Sequence, residues 1–147
     1  METLGYGTHL TVDVFQADLS EFVAPEQVLE LLRELAASIE SGANEVLEVP
    51  VVAADGSSVA VLGSESQLFM HVFPGKSTAS LRIFTRLDST LAAVIETIRE
   101  KFRTGRTESH VSMVSKVVPR ERQLVETVLR GDRGYVLARL EAIAGAD

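Results

Sequence analysis

Gly63-Ser64-Glu65-Ser66-Gln67-Leu68-Phe69-Met70-His71-Val72-Phe73-Pro74 is the stretch from which the rest of the chain can be read. Its polar Ser-Glu-Ser step divides two short apolar runs, Ser58–Leu62 and Gln67–Phe73, each of strand length. Asp55-Gly56 before the first run is a hairpin signal, and Pro74-Gly75 ends the second. Upstream, Val46–Ala54 is β-rich but holds Pro50, which lacks a ladder donor and predicts an edge strand or bulge. Thr8–Phe15 alternates with period two, and Ala79–Thr85 and Val111–Val118 supply two more strands.

Helices fill the intervals. Pro25 suits a first helical turn, and Val28, Leu31, Leu32, Leu35 and Ile39 follow at helical spacing before Gly42. Asp88-Ser89-Thr90 offers caps for a second helix with Leu91, Val94, Ile95, Ile98 and Phe102 on one stripe, stopped at Gly105. Beyond Pro119, Leu124, Val125 and Val128 form a stripe that Gly131-Asp132-Arg133-Gly134 interrupts before Val136, Leu140 and Ile143, predicting a helical hairpin or broken helix. The order predicts an α+β fold: a two-layer α/β sandwich in one domain over residues 1–147, its mostly antiparallel sheet carrying helices on one face. The other face is left for a site or a partner.

Composition narrows the chemistry. A chain of 147 residues, 46% hydrophobic and 24% charged, is globular, and no apolar run reaches the ~18–20 residues that span a bilayer. Its start lacks the basic and apolar regions of a signal peptide, so a cytoplasmic protein away from membranes is expected. The net charge of −7 argues against nucleic acid as partner. With no cysteine and three dispersed histidines, neither a thiol nucleophile nor a metal site is expected.

Glu-Ser occurs three times, at Glu40-Ser41, Glu65-Ser66 and Glu108-Ser109. Only the second has a companion serine on a preceding strand, Ser58, and a following strand with a histidine, His71. There the sequence resembles the bacterial and archaeal S-adenosylmethionine decarboxylase proenzymes. Their core reads as a serine-bearing strand, then Glu-Ser-His, His-x-Trp-Pro-Glu and Phe-Thr-Cys. The corresponding residues are Ser58, Glu65-Ser66-Gln67, His71-Val72-Phe73-Pro74-Gly75 and Phe84-Thr85-Arg86, and Gly7-Thr8-His9-Leu10 resembles the family's opening Gly-x-His-Leu. The likeness runs from about Gly7 to about Arg103.

The resemblance implies a chain that cuts itself between Glu65 and Ser66. Ser66 would attack the preceding carbonyl, the ester would eliminate, and the residue would become a pyruvoyl group, so no external cofactor is needed. It assigns Ser58 to assisting the acyl shift and His71 to removing the α-proton. The pyruvoyl carbonyl would then hold substrate as a Schiff base and act as electron sink for decarboxylation. A homodimer of cut protomers, acting in polyamine and spermidine synthesis, is implied by the same likeness.

The substrate side departs from the pattern. Gln67 stands for a histidine, Phe73 for tryptophan, Gly75 for an acidic residue and Arg86 for the cysteine that acts as acid. Glu65, Phe73, Arg82 and Arg86 are the residues expected to meet substrate. Strand parity puts Arg82, Phe84 and Arg86 on one face, where two guanidiniums would repel a sulfonium and attract a carboxylate. Two alternatives stay open: a pyruvoyl-dependent decarboxylase of another amino acid such as arginine or ornithine, and an uncut, non-catalytic paralogue that binds a ligand or partner. Ser66 and His71 differ by an odd number, so a turn or bulge after Ser66 is expected if both serve one site.

Overall fold

The computed structural model describes the backbone of residues 2–40, 47–86, 91–104, 106–118 and 121–145, and the side chains of 7–40, 47–86, 92–104, 106–113 and 121–143. The expected stops at Gly42 and Gly105, the caps at Asp88–Thr90 and the opening at Pro119 lie outside the described residues. Ten elements follow in order: β1 (Glu2–Phe15), α1 (Pro25–Ile39), β2 (Leu47–Ala53), β3 (Gly56–Leu62), β4 (Ser66–Phe73), a 3-10 turn (Pro74–Lys76), β5 (Thr78–Thr85), α2 (Leu91–Phe102), β6 (Arg106–Val118) and α3 (Arg122–Gly145).

The six strands form one sheet in the order β2-β3-β4-β5-β1-β6, every neighbouring pair antiparallel. This is the expected α+β class. Pro50 sits on β2 at the sheet edge, where its missing N–H costs no inner ladder bond. The Asp55-Gly56 turn joins β2 to β3. Gly56 has φ 142°, and a Cβ there would come within 2.1 Å of the Val72 carbonyl oxygen, so the turn requires glycine.

One face of the sheet packs on α1 and α2 as the amphipathic stripes predict. Leu10, Val12, Val59, Val61, Leu68, Met70, Leu81 and Ile83 meet Val28, Leu32 and Leu35 of α1 and Val94, Ile98 and Phe102 of α2. Pro25 opens α1, and the Gln27 side chain accepts the Ala24 N–H at 3.2 Å, satisfying an orphan donor of the first turn.

The opposite face is covered as well, which adds a third layer to the two expected. The tail is neither hairpin nor broken helix: α3 is continuous from Arg122 to Gly145. Its buried apolar residues are Val125, Leu129, Val136 and Leu140, spaced four, seven and four, while Leu124 and Val128 from the expected stripe are exposed. At its start the buried stripe runs through Val125 and Leu129 rather than Leu124 and Val128. Val125 and Leu129 pack on Val49, Val51, Ala60, Leu62, Phe69 and Phe84, and Val136 and Leu140 on Phe15 and Phe73. Gly131 and Gly134 weaken a helix by roughly 1 kcal/mol each relative to alanine, less than the burial of these four side chains returns at ~1.5–3 kcal/mol apiece.

Candidate active site

The Glu65-Ser66 peptide lies where β4 begins, at the end of the sheet. Ser66 and its pairing partner Thr85 are both buried, and their hydroxyls are 2.9 Å apart. The Glu65 carbonyl oxygen accepts the Arg86 backbone N–H at 3.0 Å and has the Thr85 hydroxyl 3.4 Å away. On the other side of the same residue, the Glu65 N–H donates to the Glu40 carboxylate at 3.0 Å, and Ser64 donates its hydroxyl to the same oxygen. Gly63 N–H holds the Ser66 carbonyl at 2.8 Å. Peptide groups on both sides of the Glu65-Ser66 bond are thus fixed, and the bond's own carbonyl faces two donors.

The second cluster lies on the other face. Pairing places Ser58 of β3 opposite His71 of β4, His71 opposite Ser80 of β5, and Ser80 opposite Asp13 of β1, so four polar side chains cross the sheet in one row. All four are buried under α3. The helix answers them in kind: Asp132 meets His71 and Arg82, Arg133 meets Ser58, and Arg139 meets Asp13 and Ser80.

Donors and acceptors in this row fix the state of the imidazole. An ionised carboxylate only accepts, so His71 Nε2 carries the hydrogen given to Asp132 at 2.7 Å. Burial pushes the His71 pKa below its ordinary value, opposed by the hydrogen bond and charge of Asp132, so the ring is neutral near pH 7 and its Nδ1 is bare. Ser58 donates its hydroxyl to that nitrogen at 2.7 Å and accepts an Arg133 N–H at 2.9 Å. Arg133 also binds the Ser57 and Val72 carbonyls and Asp55, and its guanidinium lies 4.1 Å from the centre of the Phe73 ring.

Of the residues singled out from sequence, Ser58 and His71 are therefore brought together, and Ser66 stands apart. β4 pairs without a break from Ser66↔Thr85 to Phe73↔Thr78, so the expected turn or bulge after Ser66 is absent. Ser66 shares parity with Leu68 and Met70, which face α1 and α2, whereas His71 shares parity with Phe69 under α3. Five residues of strand also separate them by about 17 Å along the axis. Phe73 is farther still, at the opposite end of β4 beside a hollow of ≈ 460 Å³ that Asp55, Gly75 and Lys76 help to line.

Arg82 of β5 and Arg86, the residue after its end, are both paired within the chain. Arg82 is ion-paired with Asp132, and Arg86 lies 3.6 Å from the Glu65 carboxylate. The cationic field expected from parity alone is accordingly reduced, because the sequence pattern could not show which carboxylates fold onto that face. Gln67 is buried with neither amide atom hydrogen-bonded. The surface Glu108-Ser109-His110 triplet is exposed on β6, as its polar context suggests. Sequence reasoning missed Glu40, Thr85, Asp132 and Arg133. Thr85 sat inside the quoted Phe84-Thr85-Arg86 motif, and the other three lie too far away in the chain for any local pattern to reveal them.

None of the described helices is long and apolar enough to cross a membrane, and no cluster of metal-ligating residues occurs among the described residues. No curated protein matches the chain at the level of sequence. Among solved structures, the crystal structure of the adenosylmethionine decarboxylase from Aquifex aeolicus VF5 is similar with a TM-score of 0.63 and 19% identity, over 80% of this chain and 96% of that one. That likeness shows the fold. The family model described as S-adenosylmethionine decarboxylase matches residues 8–113, which take in both clusters on the sheet but not α3. Since the match spans most of the sequence, the chain belongs to the S-adenosylmethionine decarboxylase family.

Proposed function

We propose that this protein is a self-cleaving, pyruvoyl-dependent decarboxylase that acts on S-adenosylmethionine in polyamine synthesis. The observation that carries the reading is the Glu65 carbonyl, held by the Arg86 N–H and facing the Thr85 hydroxyl, with the Ser66 hydroxyl next to Thr85. Acyl transfer to a hydroxyl develops negative charge on that oxygen, and donors already aimed at it need no reorganisation when the charge appears. The same peptide is anchored by Glu40 and Gly63, so the reacting groups stay together without water.

These residues fit a pyruvoyl group at position 66, which would supply the electron sink for loss of carbon dioxide. Ser66 provides its atoms, while the buried, unpartnered Gln67 amide next in the chain lies on the α3 face of β4 with His71. His71, neutral and with a bare Nδ1 shared only with Ser58, has the protonation state of a general base. For it to serve residue 66, the first residues of β4 must leave the sheet once the chain before them is cut. A guanidinium is a poor proton donor, so protonation of the decarboxylated carbon falls to water or a group other than Arg86.

Intact mass tests the reading. Purified protein is expected to resolve into a fragment of residues 1–65 and one beginning at a carbonyl-blocked residue 66. A stable full-length mass on prolonged incubation would favour the second reading, an uncut binding protein. The unbroken β4 and the α3 roof over Ser58 and His71 speak for that reading.

A further inference from the structure

The sheet holds Ser58 of β3 and His71 of β4 on the opposite face from Ser66, so neither stands beside the first bond to be made. What does stand there is Thr85. Its Oγ1 is 2.9 Å from Ser66 Oγ and 3.4 Å from the Glu65 carbonyl oxygen, and both Ser66 and Thr85 are almost fully buried, at 2% and 1% exposure. Bulk water has no access to carry a proton between them. The Thr85 side chain shares parity with Leu81 and Ile83, which are packed against α1 and α2, so its position is set by the core rather than by a loop.

We propose that Thr85 is a catalytic residue of self-cleavage, the proton relay between the Ser66 hydroxyl and the Glu65 carbonyl oxygen. The proposal rests on the self-cleaving reading above. Ser66 Oγ forms a bond to the Glu65 carbonyl carbon, and the C=O π pair moves onto oxygen. The Ser66 proton passes to Thr85 Oγ1 as the Thr85 proton passes to that oxygen, leaving threonine a neutral hydroxyl and the adduct uncharged. The Arg86 N–H remains on the same oxygen throughout. On collapse the C–N pair goes to the Ser66 nitrogen, which gains a proton as the adduct's hydroxyl gives one up and the carbonyl re-forms as an ester. Hydroxyl and amide are exchanged for ester and amine with no external acid, base or oxidant. The 3.4 Å contact is long for a resting hydrogen bond, and bonds of this kind tighten as charge develops.

The relay explains why threonine is used. A hydroxyl is both donor and acceptor, so one group can take a proton from Ser66 while giving one to the carbonyl. Valine has nearly the same shape and can do neither.

The test follows ester formation separately from later steps, by adding hydroxylamine, which cleaves an ester but not an amide, and weighing the fragments. Wild type, Thr85→Val, Thr85→Ala and Thr85→Ser are compared, with circular dichroism melting to verify folding. Loss of the relay should slow appearance of the hydroxylamine-labile bond about 10²–10³-fold in Thr85→Val, the usual effect of removing one donor to a developing oxyanion. Thr85→Ser should remain within about tenfold of wild type, a margin well short of that loss. Thr85→Ala takes the place of Thr85→Val if the latter fails to fold. Ester formation at the wild-type rate in a folded variant without the hydroxyl overturns the proposal. So does a Thr85→Ser variant as slow as Thr85→Val, which would make the β-methyl the needed group. Wild type that gives neither fragments nor a hydroxylamine-labile bond overturns the self-cleaving reading and the relay with it.

Discussion

The two faces of the sheet differ in how their polar groups are made. The corner at Ser66 is built largely from neighbours in the chain and main-chain atoms: Gly63 N–H, the Glu65 carbonyl, the Arg86 N–H and the hydroxyl on the paired strand. The row at His71 is built from side chains on four strands and closed by three charged residues of α3. The first arrangement presents donors to a carbonyl, which suits a reaction on the backbone. The second pairs each charge it buries, leaving only the Nε atoms of Arg82 and Arg139 without a hydrogen bond, which suits fixing the imidazole and holding the helix down. In the proposed reaction the two stages would thus have separate supports, and a variant in one need not disturb the other.

Replacing the attacking group should have the largest effect. Ser66→Ala is expected to abolish cleavage altogether while leaving the fold intact, read as a single full-length mass. Any fragment starting at residue 66 from this variant would remove the Ser66 corner from the mechanism.

His71→Ala is the sharpest division between the two regions. Ester formation should proceed, and the following elimination should slow by about 10²–10⁴-fold, the usual contribution of a positioned base. Full-length protein that hydroxylamine cuts between 65 and 66 is the signature. If His71→Ala cleaves as fast as wild type, the row under α3 is structural alone.

Arg86→Cys touches only the side chain, and the Arg86 N–H that holds the Glu65 carbonyl is kept. Cleavage should be unchanged. Single-turnover release of carbon dioxide from S-adenosylmethionine by processed protein should rise, by up to about 10² if the thiol serves as the acid. A variant slower on S-adenosylmethionine, arginine and ornithine alike would mean that Arg86 is a working group and that the assigned substrate is wrong.

On the other face, Asp132→Asn removes the charge that Arg82 and His71 share. Uncompensated charge left in a mostly buried site costs about 3 kcal/mol, measurable by urea unfolding, whereas the rate of ester formation should hold. A change below ~0.5 kcal/mol, the scale of ordinary surface substitutions, would show that the pair contributes little.

The smallest effect is on pH dependence. Folding depresses the His71 pKa below the ordinary ~6.5, chiefly through burial. Between that depressed value and about 6.5 the unfolded chain binds more protons than the folded one. The stability from the neutral, buried ring is therefore complete above pH ~6.5 and declines as pH falls through this window, by at most about 1.4 kcal/mol per unit. Melting temperatures of wild type and His71→Gln should converge as pH is lowered from 7.5 to 5.5. Parallel curves would refute the assignment.

Local sequence determined the presence of the strands, the first two helices and the candidate cleavage bond, because each rests on a period of a few residues or on contiguous residues, although β1 starts at Glu2 and β6 at Arg106, ahead of the expected Thr8 and Val111. Pro50 announced an edge and Asp55-Gly56 a hairpin for the same reason: their backbone constraints act within one or two residues. Parity along β4 likewise gave the odd separation of Ser66 and His71, although the break invoked to reconcile them does not occur. Tertiary structure alone decided which groups surround them. Strand order brought Ser58 to His71 and Thr85 to Ser66, across 13 and 19 residues, and the register of pairing is a property of the whole sheet. Asp132 reaches His71 across 61 residues only because α3 stays helical through Gly131 and Gly134. The glycines locally favour a break, and burial of Val125, Leu129, Val136 and Leu140 against a sheet made elsewhere in the chain outweighs that preference.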